Sequence, residues 1–548
     1  MPYRHAVRET LTAIIIAFAL AFVFRGFVIE AFLIPTGSMA PTLRGAHVQI
    51  TSPQTGYTWA VAPRDMRADG TTPLPVQAPR FAAGEDGDES ANFPPLEVHD
   101  PMSAWPVQRQ NVPTRWGDRI FVFKYLYSIF DPARFDVVVF KNPRDPTVNY
   151  IKRLLGLPGE MVAIIDGDVF VRTPGPNDRG EANPWKLPGW RIARKPEQAQ
   201  RAMWQRLFSS EFQPISPATG LVRWFIPPWL PVGTGPEGTD WILEGRADYE
   251  YRGAGPTKLV WDARRRPIDD SYAYNETPLA GNGEFPVGDI NMSLGIRPGS
   301  EGLTVAAVVQ TRGHQFRATL GGESGGIWVR ARTGETWGQW ERAAATDSPG
   351  VLTPGLVTNF EFWHVDQSLQ LWRDGTLIAR HDYDWTPAER VEHTFGMTLD
   401  QAASGSDAMR EAGNYTVPAA WFEFDGGPFT LHRVALSRDI HYQADAYRNY
   451  NDAGEPHSRA QLPALTTHPS STLTLGPDQY FVCGDNSPQS LDGRLWDVPH
   501  PWVRRIDPSI GVVNRDLLIG KAFFVYFPAP YRVGRVPVPD TGRVRLIW

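Results

Sequence analysis

Cysteine is nearly absent: Cys483 is the single one in 548 residues. No intramolecular disulfide can form, and no zinc site can be built from thiolates. The stretch Ser52-Pro53-Gln54-Thr55-Gly56-Tyr57 has the outline of a zinc knuckle without its thiols and reads as an ordinary turn. A basic excess is missing too. Lys and Arg number 54 against 60 Asp and Glu, a formal net charge of -6. That balance argues against a general nucleic-acid binder, which needs a basic face. Beyond residue 35 there is no long apolar run, so the remainder of the chain is expected on one side of any membrane. No recognisable Ser–His–Asp pattern surrounds the serine singled out below.

What is present favours β structure. The chain carries 50 Gly, 50 Pro and 20 Trp, with 42% hydrophobic and 21% charged residues. This composition suits turn-rich, mainly β architecture with aromatic cores. The apolar exception is the N-terminus, where Thr10 to Phe24 holds no charge. A bilayer core takes ~20 residues to cross, so this run needs Val7 and the stem of Arg25 to extend it. Arg4 and Arg8 precede it, which favours a cytoplasmic N-terminus. Ala19-Leu20-Ala21 offers a cleaved signal peptide as the rival reading.

Periodicity divides the rest. Residues 1–25 read as the anchor, and Arg25 to Ile34 as an extended, interface-hugging strand. Residues 44–116 are rich in Pro, Gly and Asp, and read as a surface insertion with little regular structure. From Gly117 short apolar runs begin: Ile120 to Tyr125, Val137 to Phe140, Tyr150 to Leu155 and Val162 to Val171, the last with Asp166-Gly167 as a hairpin turn. Residues 173–470 form a second insertion. Within it Lys195 to Phe208 has helix-like spacing, followed by short strands such as Phe316 to Leu320, the Leu369 to Leu377 hairpin and Phe422 to Leu431. Regular strands with turn signals predict an antiparallel, jelly-roll-like β-sandwich at about 190–445. Residues 471–548 return to the first style, with Tyr480 to Cys483 and Ala522 to Phe527 as strands.

The chemistry concentrates in two segments. Pro35-Thr36-Gly37-Ser38-Met39 directly follows the apolar stretch, and a serine needs a base to become a nucleophile. Lys152 lies in the apolar run Tyr150-Ile151-Lys152-Arg153-Leu154-Leu155. It is either a strand lysine reaching solvent or a buried amine, neutral near pH 7 and able to act as a base.

Taken together these segments resemble the type I signal peptidases of bacteria, the serine–lysine peptidase family. The family's nucleophile pattern is proline–serine–glycine–serine–methionine–x–proline–threonine–leucine, and Pro35 to Leu43 matches it with Thr36 for the first serine. Arg134, Asp136, Val137, Val138, Phe140, Pro143, Lys152 and Glu160 match a second block. Gly484-Asp485-Asn486 with Ser490, Asp492 and Arg494 match a third. The resemblance covers residues 1–43, 117–172 and 473–528, under a third of the chain.

It implies a discontinuous peptidase domain of residues 26–43, 117–172 and 471–548. It also implies an endopeptidase that removes signal peptides from exported preproteins, without metal or cofactor. Ser38 is then the nucleophile and Lys152 the general base. The Ser38 N–H and the Thr36 hydroxyl form the oxyanion hole, where one donor is worth ~2.7–4 kcal/mol of barrier. Ser490 orients Lys152, while Asp485, Asp492 and Arg494 fix the loop. Phe32, Ile34, Pro35, Tyr150 and Ile151 line shallow apolar pockets that suit Ala-x-Ala sites, the peptide adding as an edge strand. The place implied is the cytoplasmic membrane, crossed once, with the catalytic domain on its outer side and the bilayer as a partner.

Two departures stand out. Gly493 replaces the family's usual serine, and residues 44 to 115 interrupt the usual run from Leu43 into Gly117-Asp118. In the sandwich, His364, His432 and His441 read as structural residues rather than metal ligands. Trp328, Trp363 and Trp372 read as core rather than a sugar-binding face. The rival reading is a catalytically inactive homologue whose sandwich binds a glycan or protein.

Overall fold

The computed structural model describes residues 2–62, 96–103, 106–109, 114–176, 178, 181–215, 227–232, 240–242, 249–275, 285–322, 325–346, 350–405, 408–445, 447, 459–533 and 536–548. Helix Pro2–Phe27 opens the chain, and its side chains from Arg8 to Ala19 all face outward, Ile15 at 66% exposure. The side chains of residues 2–7, 20–25 and 27 lie outside the described set, and with them part of the expected anchor. Among the described residues no helix is long and apolar enough to cross a membrane.

The next turn leads into an eight-stranded antiparallel sheet. Its order is Ile29–Leu33, Arg119–Lys124, Leu518–Phe527, Val137–Lys141, Asn149–Gly156, Gln479–Cys483 and Val513–Asn514, with Arg545–Leu546 also on Leu518–Phe527. Both faces are covered, which is why Val137 to Phe140 runs apolar without alternation. Val137 and Val139 join Ile34, Met39 and Val122 on one side, and Val138 and Phe140 join Leu154 and Trp496 on the other. Ile29–Leu33 lies at the sheet edge, paired only to Arg119–Lys124.

A four-stranded sheet of Arg191–Ile192, Asp168–Arg172, Met161–Ile165 and Leu473–Thr474 forms the gateway to the second insertion. Asp166 and Gly167 both take positive φ, 51° and 81°, as a tight two-residue hairpin requires. Met161 pairs with Arg172 on one side and Thr474 on the other, so the insertion leaves and returns beside one strand.

The insertion contains two eight-stranded antiparallel sheets packed face to face. Their core is apolar and aromatic, including Trp229, Trp261, Leu294, Val305, Phe316, Phe362, Phe422 and Leu431. Gly426 and Gly427 (φ 108° and 117°) carry the chain from one sheet to the other, where a Cβ on Gly426 would sit 2.4 Å from the Gly302 carbonyl oxygen. The helix spacing of Lys195 to Phe208 is realised only over Glu197–Met203. Gln205–Ser209 becomes a strand because Phe429–Arg438 offers it a ladder, and pairing overrides local propensity.

Part of the first insertion is built into the body rather than lying on it. His47–Thr51 pairs with Thr58–Val61 and Thr114–Arg115, burying Val48, Ile50, Trp59 and Val61. Ser52 to Tyr57 is the turn between the first two, closed by Ser52 N–H to the Tyr57 carbonyl at 2.8 Å. Residues 63–95 lie outside the described set.

A buried ionic seam ties the sandwich to the hairpin of the gateway sheet. Arg312 donates to Asp166 at 2.6 Å and Asp289 at 2.8 Å, Arg390 donates to Asp166 and Asp168, and Lys195 pairs with Asp366 and, at 2.8 Å, Asp439.

Candidate active site

The nucleophile turn leaves the edge strand at Ile34, whose N–H donates to the Asp118 carbonyl at 2.9 Å. Met39 and Leu43, fully buried, pin it to the core. Bonds from Ala40 N–H to Gly37 O (3.0 Å) and Leu43 N–H to Met39 O (2.8 Å) close it. The chain then doubles back so tightly that a Cβ on Gly45 would fall 2.2 Å from the Thr36 carbonyl carbon. Ser38 is thereby half-buried and Thr36 exposed.

Lys152 stands in the centre of Asn149–Gly156, opposite Val138. It is 3% exposed, and its Nζ lies 2.6 Å from Ser38 Oγ. Burial lowers its pKa to about 8, with the nearby Asp492 carboxylate opposing part of that shift. A neutral amine at this distance accepts the serine proton. Among the described residues the Ser38 N–H has no acceptor, so it is free to serve a ligand. The Cys483 thiol sits close by, its pKa pushed up by burial, and stays protonated.

The supporting residues divide into two ion pairs. Arg153, next to Lys152 on the opposite face of the strand, is clasped by Asp485 at 2.8 and 2.7 Å. Thr42 of the nucleophile turn donates to the same carboxylate at 2.5 Å. Asp492 is held by Arg494 through two bonds of 2.9 Å and accepts from the Gly484 N–H at 2.9 Å. Burial works against that carboxylate, but Arg494 keeps its pKa below the usual range. Arg494 also donates to Ser487 Oγ at 2.7 Å.

Ser490 departs from expectation. Its hydroxyl is buried without a hydrogen-bond partner, so the bond to Lys152 implied by the resemblance is not made here. Gly493 has a reason of its own: a Cβ there would meet the Gly511 carbonyl at 2.8 Å and Phe481 and Val482 at 2.9 Å. The loop is crowded at this point rather than loosened.

Of the five pocket residues, Ile34 is buried, with Phe32 and Ile151 packed against the same cluster. Pro35 and Tyr150 are half-buried, and the Lys152 amine lies 5.6 Å from the Tyr150 ring centre. Phe32 also lines a cleft of about 540 Å³ with Tyr125, Lys141, Asn149 and Ile519; Ser38 and Lys152 do not line it.

Sequence reasoning missed Thr42, Arg153, Asn486 and Ser487. The alternation of a strand held a signal for Arg153, since adjacent cations in an apolar run must point to opposite faces. Asn486 donates its N–H to the Ser38 carbonyl at 3.1 Å and its Nδ2 to the Gly37 carbonyl at 3.0 Å.

His364 is satisfied by the Gly288 carbonyl and the Tyr383 hydroxyl at 2.7 and 2.8 Å, its pKa lowered to about 4 by burial. His441 stacks on Phe285 and covers Gly167. Asp168, Asp289, Asp366 and Asp439 bring carboxylate oxygens within 4.8 Å of one another, but Lys195, Arg312 and Arg390 stand among them in place of a metal. Trp363 and Trp372 are buried under Arg201, whereas Trp328 is partly exposed.

The edge strand runs directly into the serine turn, and that turn brings Ser38 to the buried lysine. Residues 107–186 and 434–527 match the family model "Signal peptidase, peptidase S26". A signal peptidase I of Rickettsia prowazekii (strain Madrid E) is 44% identical over 54 residues, 10% of this chain and 20% of that protein. One of Pseudomonas fluorescens is 48% identical over 58 residues, 8% of this chain and 20% of that protein. The resemblance to signal peptidases is thereby shown over these stretches, and the chain spans about a fifth of the length of the curated relatives it matches. Among solved structures, carbohydrate-binding module CBM66 from Bacillus subtilis aligns at 8% identity and TM-score 0.21, over 39% of this chain and 96% of that one. Galectin LEC-6 of Caenorhabditis elegans aligns at 12% and 0.18, over 36% and 100%. At such scores these likenesses carry no argument.

Proposed function

We propose that this chain is a membrane-anchored endopeptidase that removes signal peptides from exported preproteins, with Ser38 as nucleophile and Lys152 as general base. The observation that carries the reading is the 2.6 Å approach of Ser38 Oγ to a buried Lys152 amine whose pKa is lowered to about 8. Neutral Lys152 takes the Ser38 proton as Oγ attacks the scissile carbonyl. The resulting oxyanion is met by the Ser38 N–H and the Thr36 hydroxyl. Protonated Lys152 then gives its proton to the leaving amine. Water, deprotonated by Lys152, hydrolyses the acyl ester and regenerates Ser38. Arg153–Asp485 and Arg494–Asp492 hold the strand and loop around the pair, and Ser490 Oγ shares the space beside Gly484 with the Ser38 carbonyl, which supports a place for it at the site.

The free edge of Ile29–Leu33 offers backbone groups to an extended peptide, and the shallow apolar surface of Phe32, Ile34, Pro35, Tyr150 and Ile151 favours Ala-x-Ala. The outward-facing apolar stretch of the N-terminal helix supports insertion in the cytoplasmic membrane, with the catalytic body on the outer side. The deciding assay is cleavage of an Ala-x-Ala preprotein by the detergent-solubilised full chain. Cleavage after the second Ala, lost in Ser38→Ala, is expected; a folded wild type silent on several preproteins sinks the reading.

One observation favours a second role for the sandwich. Partly exposed Trp328, Trp337 and Trp340 share an outer face with Arg317, Arg330 and Arg342, whose guanidinium groups lie 4.3–5.8 Å from the rings. Such a face suits a glycan, and loss of glycan-array binding in Trp340→Ala would test it.

A further inference from the structure

The second insertion reaches into the candidate active site. Its short helical turn Ala273–Asn275 packs against the nucleophile turn. Tyr274 is 2% exposed, and its ring fills the space beside Gly37: a Cβ on Gly37 would lie 2.2 Å from Tyr274 Cε1. The Tyr274 hydroxyl donates to the Ala46 carbonyl at 3.3 Å, and its own carbonyl accepts from Ala62 N–H at 2.8 Å. Tyr274 therefore joins the sandwich, the nucleophile turn and the first insertion at one point, with Ala40 and Ala60 against it.

Asn275 pairs amide to amide with Asn486. Asn275 Nδ2 donates to Asn486 Oδ1 at 2.6 Å, and Asn486 Nδ2 donates back to Asn275 Oδ1 at 2.7 Å. The second Nδ2 hydrogen of Asn486 goes to the Gly37 carbonyl, and its backbone N–H goes to the Ser38 carbonyl. Asn486 thus grips the peptide on both sides of the nucleophile. An asparagine amide has two orientations related by a flip, and only one presents a donor to Gly37. The flipped one turns Oδ1 against the Gly37 carbonyl oxygen. In the productive orientation the bond to Gly37 and both bonds to Asn275 are made together, so Asn275 holds the Asn486 amide in place against that carbonyl.

We propose that Asn275 is a positioning residue for the serine–lysine pair: the inserted domain, through Asn275 and Tyr274, sets the backbone that carries Ser38, so peptidase turnover depends on the insertion. This inference rests on the Ser38–Lys152 reading and adds the residue that aligns it. It predicts that Ser38 loses its register with Lys152 when the amide is free to turn, a loss felt in turnover rather than in substrate binding.

The test compares the full-length wild type with Asn275→Ala and Asn275→Asp. Asn275→Asp keeps an acceptor for Asn486 Nδ2 but removes the donor to Asn486 Oδ1 and sets a carboxylate oxygen against it. For Asn275→Ala, kcat on an Ala-x-Ala preprotein should fall roughly ten- to hundredfold, with KM within about twofold. For Asn275→Asp, kcat should fall as well, because the oxygen–oxygen contact drives Asn486 off the turn. Hydrogen exchange, measured in parallel, should speed up across residues 36–43 in Asn275→Ala while strand Ile290–Pro298 keeps its protection. A kcat equal to wild type in either variant overturns the proposal. So does lost protection in Ile290–Pro298, which marks a general folding defect. Should the wild type cut no preprotein, the peptidase reading fails by itself. The exchange comparison then still decides whether Asn275 holds the turn, and unchanged exchange at 36–43 overturns it.

Discussion

The eight-stranded sheet that carries Lys152 and the inserted sandwich are both antiparallel, yet they bury different things. The sandwich encloses Leu259, Ile290, Val305, Phe360 and their neighbours, an interior without charge. The other sheet buries Lys152 and Arg153 together with Asp485, Asp492 and Arg494, brought to them from 332 or more residues away in the chain. Removing charges from water costs several kcal/mol per ion, and even good pairing seldom returns more than the cost. A cluster that bears this expense directly beside Ser38 is shaped for something other than stability alone. The sandwich's buried charges lie outside that apolar core, where Lys195, Arg312 and Arg390 face the aspartates of the seam and Arg438 donates to the Asp270 and Ser271 carbonyls.

The contrast can be broken by substitution, the largest effect coming first. Lys152→Ala is expected to lower preprotein cleavage at least ~10³-fold, because a serine without its base is a poor nucleophile. Its thermal midpoint should not fall, since a buried amine has been removed; a drop of several degrees would show that Lys152 is structural. Asp485→Ala strands the Arg153 guanidinium in the interior and should cost about 3–5 kcal/mol in urea unfolding. A loss below about 1 kcal/mol would mean that water reaches Arg153.

The pH profile comes next. Lys152 must be neutral to act, so kcat/KM should rise with pH up to about 8 and then level, falling roughly tenfold per pH unit below it. Above that range it is stability that changes. The folded lysine loses its proton near 8 and the unfolded one near its ordinary value, so the unfolded state binds more protons between them and stability rises with pH there. A flat rate profile from pH 6 to 9 would remove Lys152 as the base. Gly493→Ser should destabilise by about 1–3 kcal/mol through collision with Gly511, Phe481 and Val482. A neutral result would mean that the loop yields. The smallest effect belongs to the sandwich's outer face, where Trp328→Ala should leave cleavage within about twofold of wild type. A larger loss would make that face part of the peptidase.

Much of this was legible beforehand. The apolar runs around Val137 and Leu154 gave the strands, Asp166-Gly167 the hairpin, and the Leu369 to Leu377 pattern a sandwich strand pair. Ser38 and Lys152 could be picked out by chemistry and by family likeness, although 114 residues separate them. What stayed hidden was contact between distant segments. Nothing local marks Asn486 as the grip on Gly37, or Arg153 as the partner of Asp485. Likewise nothing in Lys195 to Phe208 shows that a strand of the sandwich will capture its second half. The crowding at Gly493 also has no local sign, because its neighbours come from Phe481, Val482 and Gly511.

The gateway sheet bears on the order in which the molecule assembles. Arg153 and Asp485 lie 332 residues apart, and so the two halves of the catalytic body must meet across the whole insertion. Closing an unstructured loop of that size costs about 5 kcal/mol of chain entropy beyond a constant. Once the sandwich has folded, Arg172 and Thr474 are delivered to either side of Met161, and the effective loop shrinks to tens of residues, saving roughly 2 kcal/mol. The sandwich is therefore expected to fold ahead of the hydrolytic pair. During synthesis the chain would remain without peptidase activity until its largest part is already in place.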